Sequence, residues 1–298
     1  MTDTVLPTAA SRRGVLGFGT LALGLPGTLA ALSMPVAARA QTKNKPLDLN
    51  SRADFLTAVQ KMRGALDGRI CMGYVKGVYY GVVDTVLTPL YGVLGGTFSR
   101  YNRLPDGSFE GRTFEVAYFT DWTTGQLLEK FANPYTGETV DVPQTRMGPS
   151  VINISADGLK VSAEGRGLVF KHRFLPARVV NDDVWIVDES MVSTPPNFPG
   201  PKFFYNEVTT LQTSLKDLNN PDLNQTPTHV HFNGIVSWRP WLKMGDRPGH
   251  LLGNAAGRRL NAMTEYPREY QEWTKAHHAD VWADPGAILD KAGQAKPG

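Results

Sequence analysis

Between Ile70 and Trp238 the chain is a series of short runs rich in Val, Tyr, Phe, Thr and Trp, cut at intervals by glycine-bearing turns. This punctuation limits the possible folds more than any other feature. Runs of β-branched and aromatic residues read as strands, and tight turns join neighbouring strands antiparallel. Candidate strands are residues 71–83, 90–101, 112–120, 126–132, 138–142, 158–163, 167–175, 184–192, 203–215 and 228–238. Pro105-Asp106-Gly107, Thr124-Gly125, Asn133-Pro134-Tyr135-Thr136-Gly137, Ala156-Asp157-Gly158 and Asn181-Asp182-Asp183 supply turn chemistry between them. A meander of roughly eight to ten strands curls or closes on itself. The fold class expected is mainly β: a curled or closed, lipocalin-like antiparallel barrel with flanking N- and C-terminal helices.

The flanks read differently. Asn50-Ser51-Arg52-Ala53-Asp54 starts a helix, in which Phe55, Leu56, Val59, Met62 and Leu66 recur at three- and four-residue spacing before Gly68 closes it. Such a helix suits a lid or plug. Beyond Trp238, Pro240, Pro248 and Pro267 break the segment, and residues 251–260 and 267–276 read as helices packed on one end or the outside of the barrel. The expected organisation is a linker at 41–50, a single barrel-like domain at 51–285 and a flexible tail at 286–298.

The first forty residues are an export signal. Ser11-Arg12-Arg13-Gly14-Val15-Leu16 is a twin-arginine signature, a weakly apolar run follows, and Ala38-Arg39-Ala40 offers a small-x-small cleavage site. The expected partner is the twin-arginine translocase, and the expected location is the periplasm. Three arginines and one aspartate in the leader carry two of the three net positive charges, leaving residues 41–298 at +1. Without a basic excess or basic clusters, nucleic acid is not an expected partner. No apolar run is long enough to span a bilayer, so stable membrane insertion is not expected. Cys71 is the sole cysteine, which rules out an intramolecular disulfide.

Three strings stand out beside these patterns. They are Phe119-Thr120-Asp121-Trp122-Thr123-Thr124-Gly125, then Phe131-Ala132-Asn133-Pro134-Tyr135-Thr136-Gly137-Glu138-Thr139-Val140, and Ser237-Trp238-Arg239-Pro240-Trp241-Leu242-Lys243-Met244-Gly245-Asp246-Arg247-Pro248-Gly249. Together they resemble the domain of unknown function 1838 family of bacterial and fungal proteins, over about residues 55–285. The resemblance implies no established activity and no catalytic residues, so the chemistry has to be read from the side chains.

In a strand over His229-Val230-His231-Phe232-Asn233, alternation puts His229, His231 and Asn233 on one face. Two imidazoles so placed can move a proton, or ligate a metal if a third ligand arrives through the fold. Tyr205 and Glu207 share a face in the preceding strand, and pairing of the two strands would set a carboxylate and a phenol against the imidazoles. His172 lies on an apolar strand face that could line a ligand site. Arg247 can hold a substrate carboxylate bidentately, and Trp122 and Trp238 can wall a pocket. No glycine pattern opens a helix as a dinucleotide or phosphate loop does, and no Gly-x-Ser-x-Gly elbow is present, so no organic cofactor is expected. The reading is a periplasmic lyase, of decarboxylase or elimination type, or an isomerase. It would act on a bulky hydrophobic or aromatic small molecule by His/Glu acid–base chemistry. The alternatives are a non-catalytic carrier of hydrophobic ligands and a metal-dependent enzyme using His229 and His231.

Overall fold

The computed structural model describes residues 45–161, 168–199 and 202–292; the leader at 1–40 lies outside the described residues. Helix α1 (Arg52–Arg63) precedes β1 (Cys71–Val83), β2 (Val86–Arg103), β3 (Phe109–Thr120), the short pair β4 (Lys130–Ala132) and β5 (Thr139–Asp141), β6 (Thr145–Ser155) and β7 (Gly158–Val161). Then come β8 (Val169–Phe174), β9 (Arg178–Val180), β10 (Asp183–Ser193), β11 (Phe204–Ser214), helix α2 (Leu215–Asn219), β12 (His229–Val236) and β13 (His250–Leu260). Helices α3 (Arg268–His277), α4 (Ala279–Ala283) and α5 (Pro285–Lys291) end the described chain.

The main sheet runs β7-β6-β3-β2-β1-β13-β12-β11-β10-β8, with every ladder antiparallel and β9 paired to β10. The first strand of the meander therefore pairs with the last. The result is the expected mainly β barrel, nearly closed, with ten strands around its wall. The gap falls between β7 and β8, and a side chain bridges it: His172 Nδ1 on β8 accepts the Leu159 N–H of β7 at 2.8 Å. That bond fixes the His172 proton on Nε2, which lies 2.6 Å from Asp188 Oδ1.

Residues 251–260 are β13, not a helix. Their Gly and Ala content mimics a small-residue helix, but here it answers a steric demand. Gly253, Ala255 and Gly257 alternate on the inward face where β13 seals against β1. A Cβ on Gly257 would lie 1.7 Å from the Tyr74 carbonyl oxygen, and one on Gly77 would lie 2.0 Å from that of Asn254. Strand β6 was not anticipated either, because Gly148-Pro149 reads as a loop. It sits at a register shift against β3, where a proline costs no ladder bond.

One barrel end is plugged by α1. Leu56, Ala58, Val59 and Met62 pack with Phe109, Ile152, Ile154, Ile186 and Leu211 from the wall, and Lys61 Nζ donates to the carbonyls of Leu218 and Asn220 at 2.7 and 2.8 Å. The helix stops at Arg63, earlier than Gly68, and Leu66 lies beyond it. The other end is filled by rings: Tyr91 meets Tyr79, Phe119, Phe131 and Trp241 at centroid distances of 5.2–5.9 Å. Helices α3–α5 cover the outer face of β1–β3 through Tyr270, Val281, Ile288 and Leu289, with Tyr266 just before α3 in the same cluster. Pro285–Lys291 form a capped, docked helix, with Asp284 accepting the Ala287 N–H, over the first part of the tail expected at 286–298; residues 293–298 lie outside the described residues. Among the described residues, no helix is long and apolar enough to cross a membrane.

Candidate functional site

A cavity of about 160 Å³ lies inside the barrel. Strand register explains both its space and its polarity. One row across β13, β1, β2, β3 and β6 reads Arg259, Gly73, Thr97, Glu115, Met147. The next inward row reads Gly257, Val75, Gly95, Ala117, Thr145. Small residues in that second row leave the volume, and long polar side chains from the first point into it. From the opposite wall come Tyr205, Glu207, Thr209, Val230 and Phe232; Arg63 enters from the end of α1 and Arg239 from the end of β12.

The two carboxyls in the cavity differ. Glu207 is held by two donors: Thr209 Oγ1 at 2.9 Å and the Tyr205 hydroxyl. Burial pushes its pKa up, the negative Asp188 adds to the rise, and those donors oppose it. Glu115 has no hydrogen-bond or ion-pair partner among the described residues. Burial, followed by the charge of Glu207, pushes its carboxyl up to about 7, against the opposing fields of Arg63 and Arg259.

Three arginines face this pair. Arg63 is bonded to Asp188, which also accepts a hydrogen bond from His172 Nε2. Burial alone would raise the Asp188 pKa; Arg63 and His172 outweigh it and hold the carboxyl below its ordinary range. Arg259 Nη1 lies 3.4 Å from Thr97 Oγ1 across Gly73, where a Cβ would come within 3.2 Å of the guanidinium. Burial and the neighbouring Arg63 pull the Arg259 pKa down. Arg239 stacks its guanidinium over the rings of Tyr79 and Phe119 at 5.1 and 5.2 Å.

Of the residues singled out from sequence, Tyr205 and Glu207 line the cavity. His229 and His231 do share a face, but it is the outer one: both are exposed, while Val230 and Phe232 point inward. The register pairs His229 with Gln212 and His231 with Thr210, so the imidazoles stand opposite the wrong parity for Tyr205 and Glu207. Neither joins a group of three or more His, Cys, Asp or Glu side chains able to hold a metal ion among the described residues. His172 is buried in the seam, not on the cavity wall. Arg247 is exposed, and its carbonyl accepts the Trp238 indole N–H at 3.2 Å. Trp238 packs on Tyr135 as a latch over the aromatic end. Trp122 is 49% exposed on its turn. Cys71 is buried, with its thiol pushed up to about 11 by that burial.

Sequence reasoning missed Glu115, Arg63, Arg239 and Arg259. For Glu115 a signal existed: it shares parity with Phe109, Ala117 and Phe119 in a strand whose other parity, Phe114, Val116 and Tyr118, is also apolar. A carboxylate inside a strand that is apolar on both faces has no solvent side to occupy.

A family model described as a protein of unknown function, DUF1838, matches residues 72–294. No curated protein matches the chain.

Proposed function

Because the chain belongs to the DUF1838 family, whose description attaches no chemistry, we propose from the cavity that this is an enzyme, and from the twin-arginine leader that it is exported to the periplasm. It moves a proton at carbon in a small organic molecule, as an isomerase or a lyase. The observation that carries this reading is the Glu115 carboxyl inside the cavity, without a hydrogen-bond or ion-pair partner among the described residues and poised to change charge near neutral pH. Burial above all, and then the neighbouring Glu207 pinned by Thr209 and Tyr205, makes Glu115 reluctant to ionise. The two environments push two carboxyls toward different roles.

In this reading Glu115 takes a proton from a carbon next to an electron-withdrawing group. Arg259, set beside Thr97 in the same row, stabilises the negative charge that builds on the substrate oxygen. Glu115 then returns the proton at a second carbon, or a leaving group departs. A volume of about 160 Å³ suits one ring rather than the bulky compound expected from sequence, since a cavity of about 150 Å³ holds benzene. A carrier of apolar compounds has no use for three guanidinium groups around its ligand, so the polar lining favours the enzyme.

The test is deuterium incorporation. The protein is incubated in deuterium oxide with small unsaturated and aryl carbonyl compounds, and exchange at carbon is followed by NMR. Wild type is expected to label a member of the set. Glu115→Gln should slow labelling by about 10²- to 10⁴-fold, whereas His229→Ala and His231→Ala should leave the rate unchanged. Labelling by Glu115→Gln at the wild-type rate would remove Glu115 from the chemistry.

A further inference from the structure

We propose that the cavity takes a small organic carboxylate, and that Arg239 grips its carboxylate group. This inference rests on the proton-transfer reading and names its substrate class. Among the barrel arginines, Arg63 already holds Asp188; Arg259, like Arg239, has a buried Nε with no partner among the described residues, but it stands in the row of Glu115, whose carboxyl feels its charge. Arg239 has no carboxylate within ion-pair distance among the described residues. Its electrostatic neighbours are the phenols of Tyr79, Tyr91 and Tyr205. One Nη2 donates to the Tyr79 hydroxyl at 3.3 Å, and Nε is buried with no partner among the described residues.

A guanidinium taken out of water without a counter-charge costs stability, and a protein retains one where a ligand completes it. The rings of Tyr79 and Phe119 lie 5.1 and 5.2 Å from the Arg239 guanidinium carbon and hold it in place, while its Nε–H still has no acceptor among the described residues. The Nε–H and an Nη–H of a guanidinium together form the fork that binds a carboxylate bidentately. Geometry then orders the ligand. Arg239 lies over Phe119, and Glu115 is four residues back along the same strand, about 13 Å of backbone by strand rise. Both residues line the same cavity, together with Val75, Gly95 and Ala117. A carboxylate anchored at Arg239 therefore directs the rest of a one-ring molecule toward Glu115.

Calorimetric titration with sodium benzoate and with the neutral isostere benzamide, at pH 7, tests the assignment in the unmodified protein. Wild type is expected to bind benzoate about 10- to 100-fold more tightly than benzamide. Arg239→Gln should erase that preference and Arg239→Lys should keep part of it, because charge survives while the fork is lost. His231→Ala, on the outer face of the barrel, should keep it in full. Equal binding of the two probes by wild type, binding of neither, or an intact preference in Arg239→Gln would overturn the inference. The wild-type comparison decides the matter even if a variant does not fold. A benzoate preference that depends on Arg239, alongside undiminished deuterium exchange in Glu115→Gln, would leave the anion site standing and reject the proton-transfer reading alone.

Discussion

Asp188→Asn is expected to destabilise the protein by about 3–5 kcal/mol, the usual result of removing one member of a buried ion pair. Two partners depend on that carboxylate. Arg63 reaches it from the plug helix α1, and His172 Nε2 donates to it from the β7–β8 seam. The substitution leaves the Arg63 guanidinium inside the barrel without its counter-ion, and it loosens the imidazole that bridges the only unpaired junction of the wall among the described strands. One residue thus ties plug, seam and wall together. The folded-state pKa of Asp188 lies below its ordinary value, so its contribution is present above that ordinary value and is lost as pH falls through the depressed one. Urea denaturation at pH 7 measures the effect as a lower midpoint at constant slope. In Arg63→Met/Asp188→Leu, removal of both charges should recover much of the loss, because the cost lies in the orphaned charge. A double variant as unstable as the single one would show that packing, not charge, is at stake.

Glu115→Gln is expected to stabilise the fold, in the opposite sense to most substitutions of a buried polar group. Burial and Glu207 raise the folded-state pKa from the model-compound value of 4.5 to about 7. Below 4.5 both folded and unfolded chains carry the proton, and the group is neutral in the balance. Between 4.5 and about 7 the unfolded chain ionises while the folded one holds its proton, so stability falls as pH rises. Above about 7 the fold carries the full penalty, about 3 kcal/mol at 1.36 kcal/mol per unit. Gln keeps the shape and cannot ionise. The variant should therefore gain about 3 kcal/mol at pH 8 and nothing at pH 4, read from denaturation midpoints across that range. A gain that does not vary with pH would assign it to packing. A site that loses activity and gains stability on one neutral substitution carries strain kept for function.

The barrel itself was legible because its signals are local. Strand β1 coincides with the expected 71–83, and the turns at Asp106-Gly107, Thr124-Gly125 and Thr136-Gly137 fall where glycine takes a positive φ. Closure was legible only as a count of strands. The strand that closes the ring, β13, was hidden by glycines and alanines whose reason is the approach of β1 from a distant part of the chain. Facing was the harder problem. Alternation correctly grouped His229 with His231 and Tyr205 with Glu207, but it carries no information on which group turns inward. Here helices α3–α5 cover the outside of β1–β3, so both faces of those strands are apolar and the polar tier inside them has no contrast against which to show. Arg239 and Arg247 stand in one loop-forming string; the identity of the cavity arginine follows from where β12 ends, which no local pattern marks.

The most direct measurement is the titration of Glu115 itself, followed by carbon-13 NMR of protein labelled at the glutamate carboxyl carbons and assigned with Glu115→Gln. The account predicts one carboxyl resonance titrating near 7, as its burial beside Glu207 requires, and shifting to lower pH in Glu207→Gln. A Glu115 resonance that completes its titration in the ordinary range, around 4.5, would contradict the account, because a carboxyl ionised throughout the neutral range is not the proton-transfer group inferred from this cavity.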